Sequence, residues 1–333
     1  MIISRTPYRV SFFGGGTDYP EYYEKYGGVT LSTTIDKYCY ITVRQLDTFF
    51  DHKYRIVWSK IEAVNNVDEI IHPAVRECIK LTNITDGLDI THSGDLSARS
   101  GMGSSSCFAV GMLNALYAYK GVTISKKLLA EQAVMVEREK IKENVGVQDQ
   151  TAAAYGGFNI VEYTAGSKKV RPCPIDNVMS EELQKNLFLM YSNITRTASV
   201  IAEKQILSIE QKLSEMEEIK SLVYDALKVI ENDDVDEFGR LLDKTWQIKR
   251  RLTDRITRDD LDDLYNDALK HGAIGGKLLG AGGGGFFCFY VPRNHQVTFK
   301  DHFSNRIIIP IRFEKEGSKI IYNNENNWRN ENV

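Results

Sequence analysis

The side chains of Lys37–Arg44 alternate, with Tyr38, Tyr40 and Thr42 facing one way and Cys39, Ile41 and Val43 the other, a period of two that predicts a half-buried strand. Residues 1–60 are rich in β-branched and aromatic types, so the chain is expected to open as sheet. From about residue 103 the period lengthens. Ala109, Leu113 and Leu116 mark one helix face, and Leu129, Ala133 and Val136 mark a second behind Ser125 as N-cap. Residues 144–150 form a connection, which puts Asp149 on a loop, and Gly156–Tyr163 and Leu187–Tyr191 read as strands. Beyond Thr197, Ile206, Ile209, Leu213 and Met216, then Val223, Leu227 and Ile230, repeat at helical spacing, and further helices are predicted at 234–252 and 259–271. The final stretch reads as glycine loop, strand (286–291), helix and strand (307–313).

This order predicts an α+β fold of two lobes: an N-terminal mixed sheet with helices (1–175) and a helix-rich α+β C-terminal lobe (176–322), with residues 323–333 fraying. Gly166, Ser167, Pro172 and Pro174 break the periodicity at the join. The chain has 333 residues, 42% apolar and 26% charged, the usage of a globular protein. A net charge of −3 gives no general electrostatic case for nucleic acid or an anionic membrane surface, and no apolar run is long enough to span a bilayer. Arg5 and Arg9 interrupt the start, where an export signal would be apolar, so a cytoplasmic address is expected. Five widely spaced cysteines without a CxxC pair read as buried thiols, and the six histidines show no ligand spacing. Homo-oligomerisation is left open.

Three segments carry candidate chemistry. In residues 99–107, Gly101, Met102, Gly103, Ser104, Ser105 and Ser106 run into a helix. The glycines let backbone approach an anion, and the helix N–H groups point at it, so the segment reads as a phosphate cradle or, more plainly, as a capped turn. It lacks the GxxxxGK[ST] spacing of a Walker A loop. In residues 280–285 four consecutive glycines, including Gly282 and Gly283, demand bare backbone, for a ligand or for another stretch of chain. In residues 5–20 a strand with Arg5 and Arg9 ends in Gly14, Gly15 and Gly16, presenting Thr17 and Asp18 either to a hydroxyl-rich ligand or as an ordinary Asx turn.

In this order the three segments resemble the motifs of the GHMP kinase superfamily, with Arg9–Tyr19, Leu96–Cys107 and Lys277–Phe286 matching its first, second and third motifs. The resemblance implies a kinase that uses ATP and Mg²⁺ on a small molecule, here a sugar phosphate. It implies Asp149 as the catalytic aspartate, Arg9 as the cation beside the attacking hydroxyl, and Ser105 and Glu137 as metal ligands. The nucleotide falls to Gly101–Ser106, and the sugar to Arg5, Gly14–Asp18, Gly282 and Gly283. Within the superfamily, Arg5–Pro20 together with Glu143–Gln150 looks most like the branch that acts on heptose phosphates. Galactokinases carry Glu-His where this chain has Gly15-Gly16, which opens space in the sugar site. A phosphorylated sugar needs a cationic receptor; Arg196 is the first candidate, with Arg5 and Arg138 behind it. A silent sugar sensor on the same fold would not need the joint presence of Asp149, Glu137, Ser105 and Arg9, and the galactokinase-like run Gly-Val-Gln-Asp-Gln at 146–150 argues against a decarboxylase of the mevalonate diphosphate type.

Overall fold

The computed structural model describes residues 1–194 and 198–324. The first part comprises β1 (Ile2–Phe13), α1 (Pro20–Tyr26), β2 (Gly28–Gln45), β3 (Tyr54–Val57), β4 (Ile61–Val64), α2 (Pro73–Thr82), β5 (Leu88–Gly94), α3 (Ser104–Tyr119), α4 (Lys126–Met135), α5 (Gln148–Tyr155), β6 (Phe158–Thr164) and β7 (Ser167–Pro172). There follow α6 (Asn177–Asn186), β8 (Leu187–Tyr191), α7 (Ala198–Ser208), α8 (Leu213–Glu231), α9 (Val235–Lys249), α10 (Asp259–Lys270), β9 (Gly275–Leu278), β10 (Phe286–Tyr290), α11 (Gln296–His302), β11 (Ile308–Pro310), β12 (Phe313–Glu314) and β13 (Lys319–Asn323). The two-lobed α+β architecture is the one expected.

Local chemistry sets several boundaries. Pro20 and Pro73 start α1 and α2, where a missing N–H costs nothing. The Ser125 hydroxyl accepts from Leu128 N–H at 3.2 Å, the predicted cap of α4. Helix α3 is buried almost all round because it lies against β1 and β2, and a Cβ on Gly111 would stand 2.8 Å from the Thr6 hydroxyl. That close crossing fixes the helix N-terminus beside β1.

Nine strands form the first sheet, in which β13, β1, β2, β5, β3 and β4 lie side by side while β6 and β12 also pair with β2, and β7 with β6. Only β3 and β5 run parallel among the pairs described; the second sheet is antiparallel, in the order β11-β8-β10-β9. The predicted strand at 307–313 is two strands in different sheets: β11 ends at Pro310 beside β8, and β12 joins β2. The chain therefore crosses back, and 313–323 belongs with the first sheet rather than with a C-terminal unit ending at 322. Ser318 locks the return, its N–H donating to Ala153 O at 2.8 Å and its hydroxyl meeting Thr6 and Asn114. Asn323 is paired with Ile2, so the predicted frayed tail starts no earlier than 324; its remainder, 325–333, lies outside the described residues.

Candidate active site

Arg9 points inward from a bulged stretch of β1 and is 3% exposed. Its Nε and Nη2 donate to the two Asp149 oxygens at 2.7 and 2.5 Å, and its Nη1 donates to Gly101 O at 2.8 Å. Burial works to lower the Arg9 pKa, but the facing carboxylate outweighs it and the net shift is upward, so the guanidinium stays charged. Asp149 stands in the first turn of α5, not on a loop; a carboxylate there is favoured by the helix dipole. A Cβ on Gly103 would lie 3.2 Å from Asp149 Oδ2 and 3.4 Å from Arg9, so the glycine lets the serine loop close on this pair.

The loop enters α3 through Gly103 at φ +73°, and the first main-chain bond of the helix is Cys107 N–H to Gly103 O. The N–H groups of Ser104, Ser105 and Ser106 are the orphan donors of that helix end and suit an anion. Met102 is wholly buried, and its carbonyl accepts from Arg9 N–H at 3.4 Å. Beneath the loop lies Glu137, carried by a π-helical turn (Val136–Lys140) that continues α4. Its carboxylate accepts from Ser105 Oγ at 2.5 Å, Ser106 Oγ at 2.7 Å and Gln150 Nε2 at 2.6 Å. Burial pushes the Glu137 pKa up to about 7 against the lowering effect of those donors. A fully buried carboxylate with hydroxyl neighbours and no ion pair among the described residues is a donor set that fits a small, hard divalent cation.

The glycine turn after β1 forms a second polar network. Asp18 accepts from Gly16 N–H at 3.0 Å, Gln148 Nε2 at 2.9 Å and Gln148 N–H at 3.2 Å, and Ser11 Oγ donates to Gln148 Oε1 at 2.7 Å. Burial first, then the charge of Asp149, raises the Asp18 pKa to about 6. A Cβ on Gly15 would meet this network at 3.4–3.5 Å, so Gly15 lines it.

Several residues expected to touch a ligand are engaged elsewhere. The Thr17 hydroxyl is fully buried and bonds Gly14 O, Val29 O and Val29 N–H, which holds the turn and leaves it nothing for a sugar. Gly14, at φ +79°, is required by the approach of Val29 O. Gly283 N–H donates to Ile256 O at 2.7 Å, and a Cβ on Gly282 would stand 2.8 Å from Ile256 Cα. A Cβ on Gly285 would stand 2.3 Å from Ser100 O. The bare backbone of 280–285 thus admits neighbouring chain, and the loop braces the 99–107 segment from behind. Arg5 stacks on Tyr38 and pairs with Glu314 and Glu316. Arg138 clamps Val145 O to Glu21. Arg196 lies outside the described residues.

Four polar residues at the centre were not singled out by the sequence: Ser11, Gln148, Gln150 and Lys277. Lys277, the single charge in the run Ile274–Leu279, was the most legible. It is buried, its ammonium donates to Phe12 O at 2.7 Å, and burial pulls its pKa down to about 7. It ties the second sheet to the end of β1.

Residues 66–157 match the GHMP kinases N terminal domain and residues 226–305 match the GHMP kinases C terminal domain. The D-glycero-alpha-D-manno-heptose 7-phosphate kinase of Campylobacter jejuni is 31% identical over 305 residues, which span 87% of this chain and 89% of that protein. The L-fucokinase/L-fucose-1-P guanylyltransferase of Bacteroides fragilis is 27% identical over 90% of this chain, which corresponds to 35% of that longer protein. A crystal structure of a D-glycero-D-manno-heptose 1-phosphate kinase from Bacteroides thetaiotaomicron superposes with a TM-score of 0.81 at 23% identity, covering 98% of this chain and 100% of that one, and shares the fold. On the two domain matches and the Campylobacter relative, the protein belongs to the GHMP kinase family of ATP-dependent phosphotransferases that act on an alcohol group.

Proposed function

We propose that this protein is a sugar kinase that transfers the γ-phosphoryl group of ATP, with Mg²⁺, to the anomeric hydroxyl of D-glycero-D-manno-heptose 7-phosphate. The product, a heptose 1,7-bisphosphate, is a precursor of nucleotide-activated heptose for surface polysaccharide. The observation that carries the reading is the bidentate Arg9–Asp149 pair fastened to the Gly101 carbonyl of the phosphate cradle. It places a proton acceptor beside the groups suited to the triphosphate. The 31%-identical Campylobacter relative supports the choice of sugar.

Phosphoryl transfer requires in-line placement and stabilisation of spreading negative charge. The N–H groups of Ser104–Ser106 hold phosphate oxygens, Asp149 accepts or orients the sugar hydroxyl proton, and Arg9 holds that carboxylate in place through two hydrogen bonds. Asp18, kept in place by Gln148 and Gly16, receives sugar hydroxyls. Glu137 and Ser105 would hold Mg²⁺, which would supply positive charge against the charge developing on the transferred phosphoryl group.

A coupled ADP-release assay over a sugar panel, each sugar with and without a phosphate on its far carbon and with EDTA as control, tests the proposal. Turnover is expected on the heptose 7-phosphate and loss of turnover on chelation. Preference for an unphosphorylated sugar would sink it. L-Fucose is the second reading, motivated by the Bacteroides relative, and an N-acetylhexosamine belongs on the same panel. Absence of turnover on every sugar would indicate a sensor.

A further inference from the structure

The six histidines show no ligand spacing along the chain, yet the fold brings two of them onto one carboxylate. Asp267 and His271 lie one turn apart at the C-terminal end of α10, and His302 is the last residue of α11. His302 Nε2 donates to Asp267 Oδ2 at 2.9 Å. His271 Nδ1 stands 3.1 Å from Asp267 Oδ1 and donates to the Asp267 main-chain oxygen at 2.9 Å. The two imidazole rings lie face to face, with centroids 3.4 Å apart and planes 10° from parallel. One donor atom from each of the three side chains falls within 4.8 Å of the other two.

The core fixes this placement. Phe303 is buried, meets both rings edge-on and packs in turn on the buried Phe299. Gly272, at φ +108°, turns the chain directly after His271, where a Cβ would stand 2.5 Å from His295 Cβ. All three side chains of the cluster stay partly exposed, so an ion and its water can reach them. The main-chain carbonyls at the end of α10 make the place negative, which favours a cation. Two imidazoles and one carboxylate are a donor set for zinc and the metals near it, whereas Mg²⁺ and Ca²⁺ prefer oxygen throughout. Donors around four-coordinate zinc sit about 3.3 Å apart at bond lengths of about 2.0 Å, close to the nitrogen–oxygen separations found here. The five cysteines are buried, which leaves these imidazoles without a competing surface thiolate.

We propose that Asp267, His271 and His302 form a metal site outside the active site, which takes Zn²⁺ or a metal of its class and pins the end of α11 to the end of α10. On ligation each imidazole carries its hydrogen on the other ring nitrogen, which frees the nitrogen facing the carboxylate. The partly exposed rings turn out of their stack until both lone pairs meet the ion, and water completes the coordination. His271 is followed by β9 and then by the 280–285 loop, so the ion anchors the chain that leads into that loop without touching substrate.

The test is titration of the untagged, metal-free full chain with Zn²⁺, followed by calorimetry and by the change in Tm. Wild type is compared with Asp267→Asn, His271→Gln and His302→Gln, and with two controls: Glu137→Gln in the active site, and Asp263→Asn, exposed one turn earlier on α10. The wild type is expected to bind one Zn²⁺ that each cluster variant binds at least about tenfold more weakly, while both controls keep it. Titration with Co²⁺ is expected to give visible absorption bands in the wild type that are absent from His302→Gln. Thermal denaturation without metal reports the fold, and His302→Gln, at an exposed helix end, carries the test if another variant does not fold. No Zn²⁺ binding by the wild type, or equal affinity in the folded cluster variants, overturns the proposal. A Zn²⁺ lost in Glu137→Gln but kept in His302→Gln overturns it as well.

Discussion

Asp149 and Asp18 occupy one site but differ in their surroundings. Asp149 faces Arg9 with two parallel hydrogen bonds, and replacing one oxygen by an amide sets N–H against N–H and removes the proton acceptor. Asp149→Asn is therefore expected to lower kcat by roughly 10²- to 10⁴-fold, with circular dichroism and Tm reporting an intact fold. Asp18 forms no ion pair among the described residues. Its folded pKa of about 6 lies above the unfolded value near 3.8, so between those values the folded protein keeps a proton that the unfolded chain has released. Stability from this group falls as pH rises through that window, by about 3 kcal/mol at most. Urea denaturation at pH 4, 5, 6 and 7 should show that slope in the wild type and a flatter one in Asp18→Asn; identical slopes would refute the assignment.

Helices and loops bring these residues together, and their tolerances differ for reasons visible in the packing. Gly285 and Gly121 both have positive φ, yet a Cβ would overlap Ser100 O at 2.3 Å in the first and meet nothing within 4 Å in the second. Gly121→Ala should cost about 1 kcal/mol through backbone strain alone, whereas Gly285→Ala should cost about 2–4 kcal/mol and raise the KM for ATP by pushing the brace off the cradle. Calorimetry and steady-state kinetics check both. Arg138 clasps Val145 to α1 and so steadies the chain leading to Asp149. Arg138→Ala is expected to lower kcat with little change in the KM for sugar phosphate. A rise confined to that KM would make it a phosphate receptor after all.

Across the whole molecule, the return of the chain to the first sheet makes the lobes interdependent: β13 pairs with β1, β12 with β2, and Ser318 joins Thr6 and Asn114. A chain ending at residue 311 should therefore lose the cooperative melting of its N-terminal part, and an unchanged transition would show that the return is dispensable. Residue order along the chain was enough to establish the element types over Leu187–Tyr191, α9 and α10, the Ser125 cap and the three motifs, because hydrophobic period, capping and glycine chemistry act over a few residues. The placement of Arg9, Asp149, Ser105 and Glu137 was legible through the motif resemblance, since spacing carries no distance between segments 96 or 140 residues apart. What occupied the space opened by the glycines was decided only in three dimensions. Bare backbone at 282–285 reads the same whether a ligand or Ile256, Ile194 and Ser100 fills it. The same holds for Thr17, Arg5 and β12, since a side chain's donors and a strand's edges can be satisfied by many partners, and which partner arrives depends on the folding of the entire chain.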